Sequence, residues 1–295
     1  MRVFNGQGIS FDFNGFNISL DSSSSNSDFV FLSHAHTDHL VKTRLPVLAS
    51  DLTAELARHR RGYDYELITA FPGLKLVDSG HVLGAKSLYA DDGEESLFYT
   101  GDFSPHDRFF LKGLEPVDCD KLVIETTYGS PRHDFPHPAE VLAEARDVIE
   151  DDLSSGYKVV LWGYALGKAQ VLTKLVEGLG SIHAHHKVRQ INDICRGHGY
   201  ELPAATKIDK GADSYVYITP SRRELKNFSN ARVYSFTGWG SRGVNDCFKL
   251  SDHASFSDLL RFVHECSPDK VFTHHGFSEE FAELLRVEGF DAATL

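Results

Sequence analysis

Cysteine is scarce in this chain: Cys119, Cys195, Cys247 and Cys266 stand far apart and form no Cys-x-x-Cys pair. That spacing argues against a thiolate zinc site and gives no disulfide framework, so the four read as small core residues. Long apolar runs are missing too. No stretch approaches the roughly 18 to 20 residues that span a bilayer, and Met1-Arg2-Val3-Phe4 leads into polar Asn5-Gly6-Gln7-Gly8 rather than a signal peptide. A soluble, cytoplasmic protein with no membrane partner is expected. Basic charge is also short, with 30 Lys and Arg against 42 Asp and Glu giving a formal charge of -12. A generic nucleic-acid binder usually displays the opposite sign. Bound divalent cations would supply positive charge that a residue count omits, so nucleic acid stays open as a partner. The one dense basic run, Arg58-His59-Arg60-Arg61, reads equally as a solvated helix end, where cations are favoured. At 295 residues the chain can hold one large domain or two ordinary ones, and two domains sharing one site is the expectation.

What the chain does carry is a concentration of imidazole and carboxylate. Phe29-Val-Phe-Leu-Ser-His-Ala-His-Thr-Asp-His-Leu40 places His34, His36, Asp38 and His39 directly behind an apolar run that reads as a buried strand. Histidine and carboxylate suit zinc and similar ions, and a stiff strand feeding a tight loop can aim these side chains at one point. A histidine-rich surface loop is the competing reading; the strand-then-loop context favours a metal site.

Periodicity sketches the rest. Alternating runs at Ile9 to Phe13 and Phe16 to Leu20 predict a hairpin closed by Asp21, and Ser22 to Ser27 a polar loop. A short strand at Pro46 to Ala49 and a helix at Leu52 to His59 follow, then strands at Tyr65 to Ala70, Leu74 to Val77, Ser87 to Ala90 and Leu97 to Thr100. Beyond Lys121 to Glu125 the texture changes. Val141, Leu142, Ala145, Val148 and Ile149 recur at helical spacing, as do Val171, Leu172, Leu175, Val176 and Leu179, with strands at Lys158 to Trp162 and Ser214 to Ile218. Alternation of this kind predicts a parallel sheet. A helix at Phe256 to Val263, a strand at Lys270 to Thr273 and a helix through Phe281 to Leu285 end the chain.

Further ligand candidates stand at strand ends. His81 lies in a glycine-bracketed turn after the Leu74 strand, and Asp102 follows Gly101, which lets the backbone approach closely. Alone, each reads as a turn residue or a cap; with the first motif they suggest a shared site. Gly167-Lys168 opens the helix carrying Val171, so it is either a phosphate site at a helix N-terminus or a glycine-tightened turn with an exposed lysine. Arg242 carries the same two readings, the neighbouring Trp239 reads either as a base-stacking residue or as a buried aromatic at a sheet edge, and His183, His185 and His186 read as surface or packing residues.

His-x-His-x-Asp-His, Gly80-His81 and Gly101-Asp102 together resemble the motifs of the metallo-β-lactamase fold. Leu122-Val-Ile-Glu-Thr-Thr-Tyr-Gly129, Leu250-Ser-Asp-His-Ala-Ser255 and Val271-Phe-Thr-His-His-Gly276 resemble motifs A, B and C of the β-CASP nucleases, in order. Gly163-Tyr-Ala-Leu-Gly-Lys-Ala-Gln170 resembles a segment of their inserted domain. Within that family the chain is most similar to exonucleases that accompany DNA ligases, related to Artemis-type nucleases. It departs from the Artemis type by keeping the motif C histidine, His275, which leaves the RNA 3′-end processing nucleases as next relatives.

The resemblance implies an α/β fold: a four-layer αββα sandwich formed by residues 1–130 and 246–295, with a small α/β β-CASP domain, 131–245, inserted and the active site in the cleft between. It implies two divalent metals, zinc favoured and manganese compatible, with His34, His36 and His81 on one, Asp38, His39 and His275 on the other, and Asp102 bridging. Asp21 would orient the first motif from behind. Asp38 would align the attacking water, while His253, held by Glu125 with its pKa raised, would serve the leaving group. Gly167, Lys168 and Arg242 would contact nucleic acid. The expected activity is a metal-dependent phosphodiesterase, a 5′-directed exonuclease on single-stranded DNA in DNA repair with ligase or helicase partners. An RNA nuclease is the alternative, and a small-molecule thioesterase or lactamase the weaker one. A non-catalytic relative would have lost ligands or the motif B histidine, and none is missing.

Overall fold

The computed structural model describes residues 1–208, 214–228, 230–239, 244 and 246–295. Arg242 therefore lies outside the described residues. In chain order the elements are β1 (Val3–Gly6), β2 (Gly8–Phe13), β3 (Phe16–Leu20), β4 (Phe29–Phe31), β5 (Val47–Leu48), α1 (Asp51–Arg61), β6 (Leu67–Ile68), β7 (Leu74–Asp78), β8 (Lys86–Asp91), β9 (Ser96–Tyr99) and β10 (Lys121–Glu125). There follow α2 (Pro138–Ser154), β11 (Lys158–Trp162), α3 (Lys168–Leu175), β12 (Ile182–Ala184), α4 (His186–Gly197), β13 (Val216–Thr219), a 3-10 helix at Arg222–Asn227, β14 (Ala231–Phe236) and β15 (Asp246–Phe248). The chain closes with α5 (Phe256–Cys266), β16 (Lys270–His274), α6 (Ser278–Val287) and β17 (Asp291–Thr294). No helix among the described residues is long and apolar enough to cross a membrane.

Two compact units emerge, one of Met1–Pro105, Lys112–Asp134 and His253–Leu295, the other of His106–Leu111 and Phe135–Asp252. The first holds two six-stranded sheets, ordered β1-β2-β3-β4-β5-β6 and β17-β16-β10-β9-β8-β7. Its β2–β3 hairpin turns on Asn14-Gly15, both at positive φ, with Phe13 opposite Phe16. This is the two-residue turn whose twist matches paired strands. Ser50 accepts from the Thr53 N–H to open α1, and left-handed Gly62 ends it. The basic run is thereby the last turn of α1, where the helix dipole welcomes cations.

Strand alternation explains how the first unit layers itself. On β9, Leu97 and Tyr99 join Phe11, Ile18, Leu20 and Phe31 of the first sheet in one core, while Phe98 faces Phe262 and Phe281 of α5 and α6 in another. Val123 and its neighbours Leu122 and Ile124 divide in the same way on β10. The second sheet is therefore covered on both faces, which is why Leu122-Val-Ile124 is apolar without a break. Pairing is parallel for β3 with β4 and for β9, β10 and β16, and antiparallel for β7 with β8 and β8 with β9. The fold is a mixed α/β one.

In the second unit all five strands run parallel in the order β12-β13-β11-β14-β15. Its helices pack through a partly polar seam: Gln170 Nε2 donates to Asn192 Oδ1 at 2.7 Å, and Asn192 Nδ2 to Thr173 Oγ1 at 3.3 Å, all buried.

Candidate active site

Most candidate residues of the first unit lie at or just beyond the carboxyl end of a strand: Asp21 after β3, His34 after β4, His81 after β7, Asp102 after β9, His275 after β16, with Glu125 closing β10; His253 stands instead just ahead of α5. Parallel strands gather their ends at one edge, the usual place for a ligand in α/β sheets. Close backbone approach is built in by glycine. A Cβ on Gly101, at φ +54°, would sit 2.8 Å from Ser33 Cβ, and one on Gly276 would sit 2.4 Å from the Thr126 carbonyl oxygen. Neither position has room for a side chain.

Four ligand atoms, from His34, His36, His81 and Asp102, lie within 4.8 Å of one another. Asp102 Oδ2 is the common point, 3.6 Å from His34 Nε2, 3.7 Å from His81 Nε2 and 3.4 Å from His39 Nε2. The His81 Nε2 and His36 Nδ1 atoms are 3.1 Å apart. Ligands about 2.0 to 2.1 Å from a tetrahedral zinc stand about 3.3 to 3.4 Å from each other, so these spacings fit a cation at the centre. The decisive atom is His34 Nε2, which is wholly buried and has no hydrogen-bond partner among the described residues. An orphaned buried nitrogen is costly unless a metal takes it.

Asp21 organises the cluster from behind. At φ 45° its carboxylate accepts from Ser33 N–H at 2.6 Å, Ser33 Oγ at 2.5 Å, Tyr99 OH at 2.9 Å and His39 Nδ1 at 3.0 Å. Ser33 Oγ in turn lies 2.9 Å from His34 Nδ1. With the Ser33 proton committed to Asp21, Ser33 Oγ accepts from His34 Nδ1–H. Both histidines then present Nε2 as the ligand atom, the carboxylate–histidine–metal arrangement of metal sites. Tyr99 and Ser33 were not singled out by sequence; only the inward phase of Tyr99 on β9 hinted at the first.

The charges agree with a cation-ready site. Burial, then the neighbouring imidazoles, holds His34 well below the usual histidine range. At Asp102 burial works to raise the pKa, but the positive charges of His39 and His253 override it and hold the group well below the carboxylate range. For His39 burial works downward, yet Asp102 and Asp21 lift it to about 11. In the metal-free protein a proton on His39 therefore occupies the place of a cation, and metal must displace it. Apparent zinc affinity is expected to rise about tenfold per pH unit between about pH 6 and 8. Competition with a chromophoric chelator measures this, and a flat profile would contradict the proton on His39.

Not every candidate joins the cluster. Asp38 is exposed, as is His275 at φ 60°, and neither joins a group of three ligand atoms among the described residues. His275 does lie near His39, with ring centroids 5.5 Å apart, and Thr126 Oγ1 donates to its carbonyl at 2.6 Å. His274 points the other way. It is buried, stacks on Tyr99 at 5.5 Å, and burial pushes it down to about 3, which keeps it neutral.

Glu125 and His253 meet as a pair. His253 Nδ1 lies 2.8 Å from Glu125 Oε1, and the buried carboxylate also accepts from Thr127 N–H at 2.9 Å and Phe103 N–H at 3.4 Å. The His253 ring stands 4.6 Å from that of His81, and Asp102, Glu125 and His253 form a second group of converging ligand atoms. Ser255 caps α5 reciprocally with Asp258, fixing the turn that carries His253.

In the second unit the phosphate-site expectation meets a different arrangement. Lys168 is only 2 % exposed, and its ammonium binds Leu250 O at 2.7 Å and Asp252 Oδ1 at 3.0 Å. Arg108 donates to the same Asp252 oxygen at 2.6 Å. The Gly167 N–H is taken by Gln170 Oε1 at 2.8 Å. Neither group is offered to a phosphate, and neither open reading of this turn anticipated a buried lysine. His183 and His185 are packing and capping residues: His183 Nδ1 lies 2.8 Å from Thr206 Oγ1, and His185 Nδ1 accepts from Lys187 N–H at 3.2 Å.

No family model matches the chain. A protein named Probable DNA ligase from Opitutus terrae is 32% identical over 286 residues, covering 89% of this chain and 28% of that protein. The human DNA cross-link repair 1A protein is 25% identical, covering 82% of this chain and 27% of its own length. The chain thus spans little more than a quarter of these relatives. Among solved structures, a protein of unknown function from Enterococcus faecalis V583 superposes with a TM-score of 0.66 at 14% identity, over 93% of this chain and 80% of that one; this likeness speaks for the fold alone. Both named relatives match more than four fifths of the chain, and with the histidine and carboxylate cluster they establish that the chain belongs to the β-CASP family of metallo-β-lactamase-fold proteins.

Proposed function

We propose that the chain is a metal-dependent phosphodiesterase that digests single-stranded DNA from the 5′ end. The observation that carries the reading is His253, an imidazole tied to a buried carboxylate and set beside the His81 ring. A departing sugar oxygen is a strongly basic leaving group and needs a proton, whereas a thiolate does not. His253 would donate that proton, and Glu125 would hold the imidazolium in place. His34, His36 and His81 would hold one cation, His39, His275 and Asp38 the other, with Asp102 shared. When bound, such a pair lowers the pKa of a water and neutralises the phosphate. Asp38 would accept a hydrogen bond from the attacking water. Zinc suits the histidine-rich set, and manganese is compatible with the same donors.

We further propose that residues 1–130 and 246–295 build a four-layer body with a β-CASP insert at 131–245. A ligase or helicase of DNA repair is the proposed partner; one relative is named a probable DNA ligase and another a DNA cross-link repair protein. The test is digestion of 5′-labelled and 3′-labelled single strands of DNA and RNA, under zinc and manganese separately. Mononucleotides released from the 5′ end of DNA are expected; cleavage confined to RNA would replace DNA as the substrate, and no cleavage of either would end the nuclease reading.

A further inference from the structure

The sheet of the second unit has a switch point that the reaction described so far does not use. From β11 the chain leaves through α3 toward β12, on one side, while from β14 it leaves toward β15, on the other. Strands β11 and β14 are adjacent and parallel, with Trp162 opposite Ser235 at their carboxyl ends. Where neighbouring connections diverge like this, a crevice opens outside the strand ends, and ligands of open α/β sheets bind there.

The crevice is present and its lining is distinctive. A cavity of about 250 Å³ is lined by Trp162, Tyr164, Phe236 and Trp239, together with Ser235 and Thr237. That volume lies just below the roughly 300 to 1,000 Å³ of sites for drug-sized ligands, so it suits one planar ring system. Tyr164 and Trp239 are 70 % and 57 % exposed, so neither is retained as core packing. The Arg222 guanidinium lies over the Trp162 ring, 5.5 Å from its centroid, and adds positive charge beside the aromatic wall in a chain that is acidic overall.

We infer that this pocket holds one nucleobase of a single strand, stacked against Trp239 and Tyr164, with Arg222 drawing the adjoining phosphate. A base offers a flat π-face and a neighbouring anion in one ligand, which matches the exposed aromatic wall and the guanidinium beside it. The inference rests on the nuclease reading for its choice of ligand but not on the metal cluster.

Both tryptophans of the chain line the pocket, so intrinsic fluorescence reports on it directly. Full-length protein in chelator, where no cleavage can occur, is titrated with a short oligothymidylate and with an abasic strand of equal length. The base-containing strand is expected to quench the fluorescence and to bind about tenfold more tightly than the abasic one; Trp239→Ala, checked for folding by circular dichroism, should remove that difference. Cleavage of bis(p-nitrophenyl) phosphate, which has no base, should be unchanged in Trp239→Ala. Equal binding of the two strands, or quenching instead by a proline-rich peptide, would overturn the pocket while intact cleavage left the nuclease reading standing. Base-dependent quenching in a protein that cleaves no phosphodiester would do the reverse.

Discussion

Asp102→Ala is expected to lose all measurable phosphodiester hydrolysis while remaining folded. Its Oδ2 is the atom toward which His34, His39 and His81 all turn, so it is the one anion common to the cluster. Removing one partner from a buried charged group costs about 3 to 5 kcal/mol. Metal affinity should fall by at least about a hundredfold, leaving about one ion per chain or none where the proposed two-ion site of wild type would hold two. The fold survives because His39, deprived of Asp102, can release its proton instead of remaining a buried unpaired cation. Metal analysis, oligonucleotide cleavage and thermal melting together check the prediction, with Asp102→Asn as the isosteric control. Wild-type cleavage in both variants would remove Asp102 from the mechanism.

His253→Ala separates proton transfer from metal binding. A positioned general acid contributes about a hundredfold to ten-thousandfold, so kcat should drop by that amount with metal content unchanged. Glu125→Gln removes the charged partner that lies 2.8 Å from His253 Nδ1 and should also lower kcat with metal content unchanged. Wild-type kcat in either variant, or loss of metal from His253→Ala, would contradict the assigned role.

The cluster of His34, His36, His81 and Asp102 was legible because these residues come from short motifs whose residue types have few other uses together. His34 and His36 follow one strand end, and His81 and Asp102 each follow a glycine. What sequence could not supply was the support behind them. Tyr99 reads as an ordinary inward strand residue, and nothing in its neighbourhood announces that its hydroxyl meets Asp21. Lys168 looked like a surface cation because lysine is almost never buried alone; Asp252, far along the chain, is what draws it in. Elements were missed for related reasons. Helix α4 buries Asn192 in its apolar stripe, which breaks the periodicity, and β12 and β17 are too short and too poor in branched residues to be marked. In the first unit the hairpin, β7 to β10 and α5 came out within a few residues, because hydrophobic alternation there matches burial on real faces.

The carboxylate of Asp21 joins the end of β3, the end of β4 and the inner face of β9 through hydrogen bonds that involve no metal. Its consequence is a site assembled before its ion arrives. A zinc finger collapses when chelated, because there the ion is the core. Here the scaffold would survive repeated loading and stripping, and the ion pair would behave as an exchangeable part. Metal supply in the cell would then govern how much of the protein is active without altering how much of it is folded.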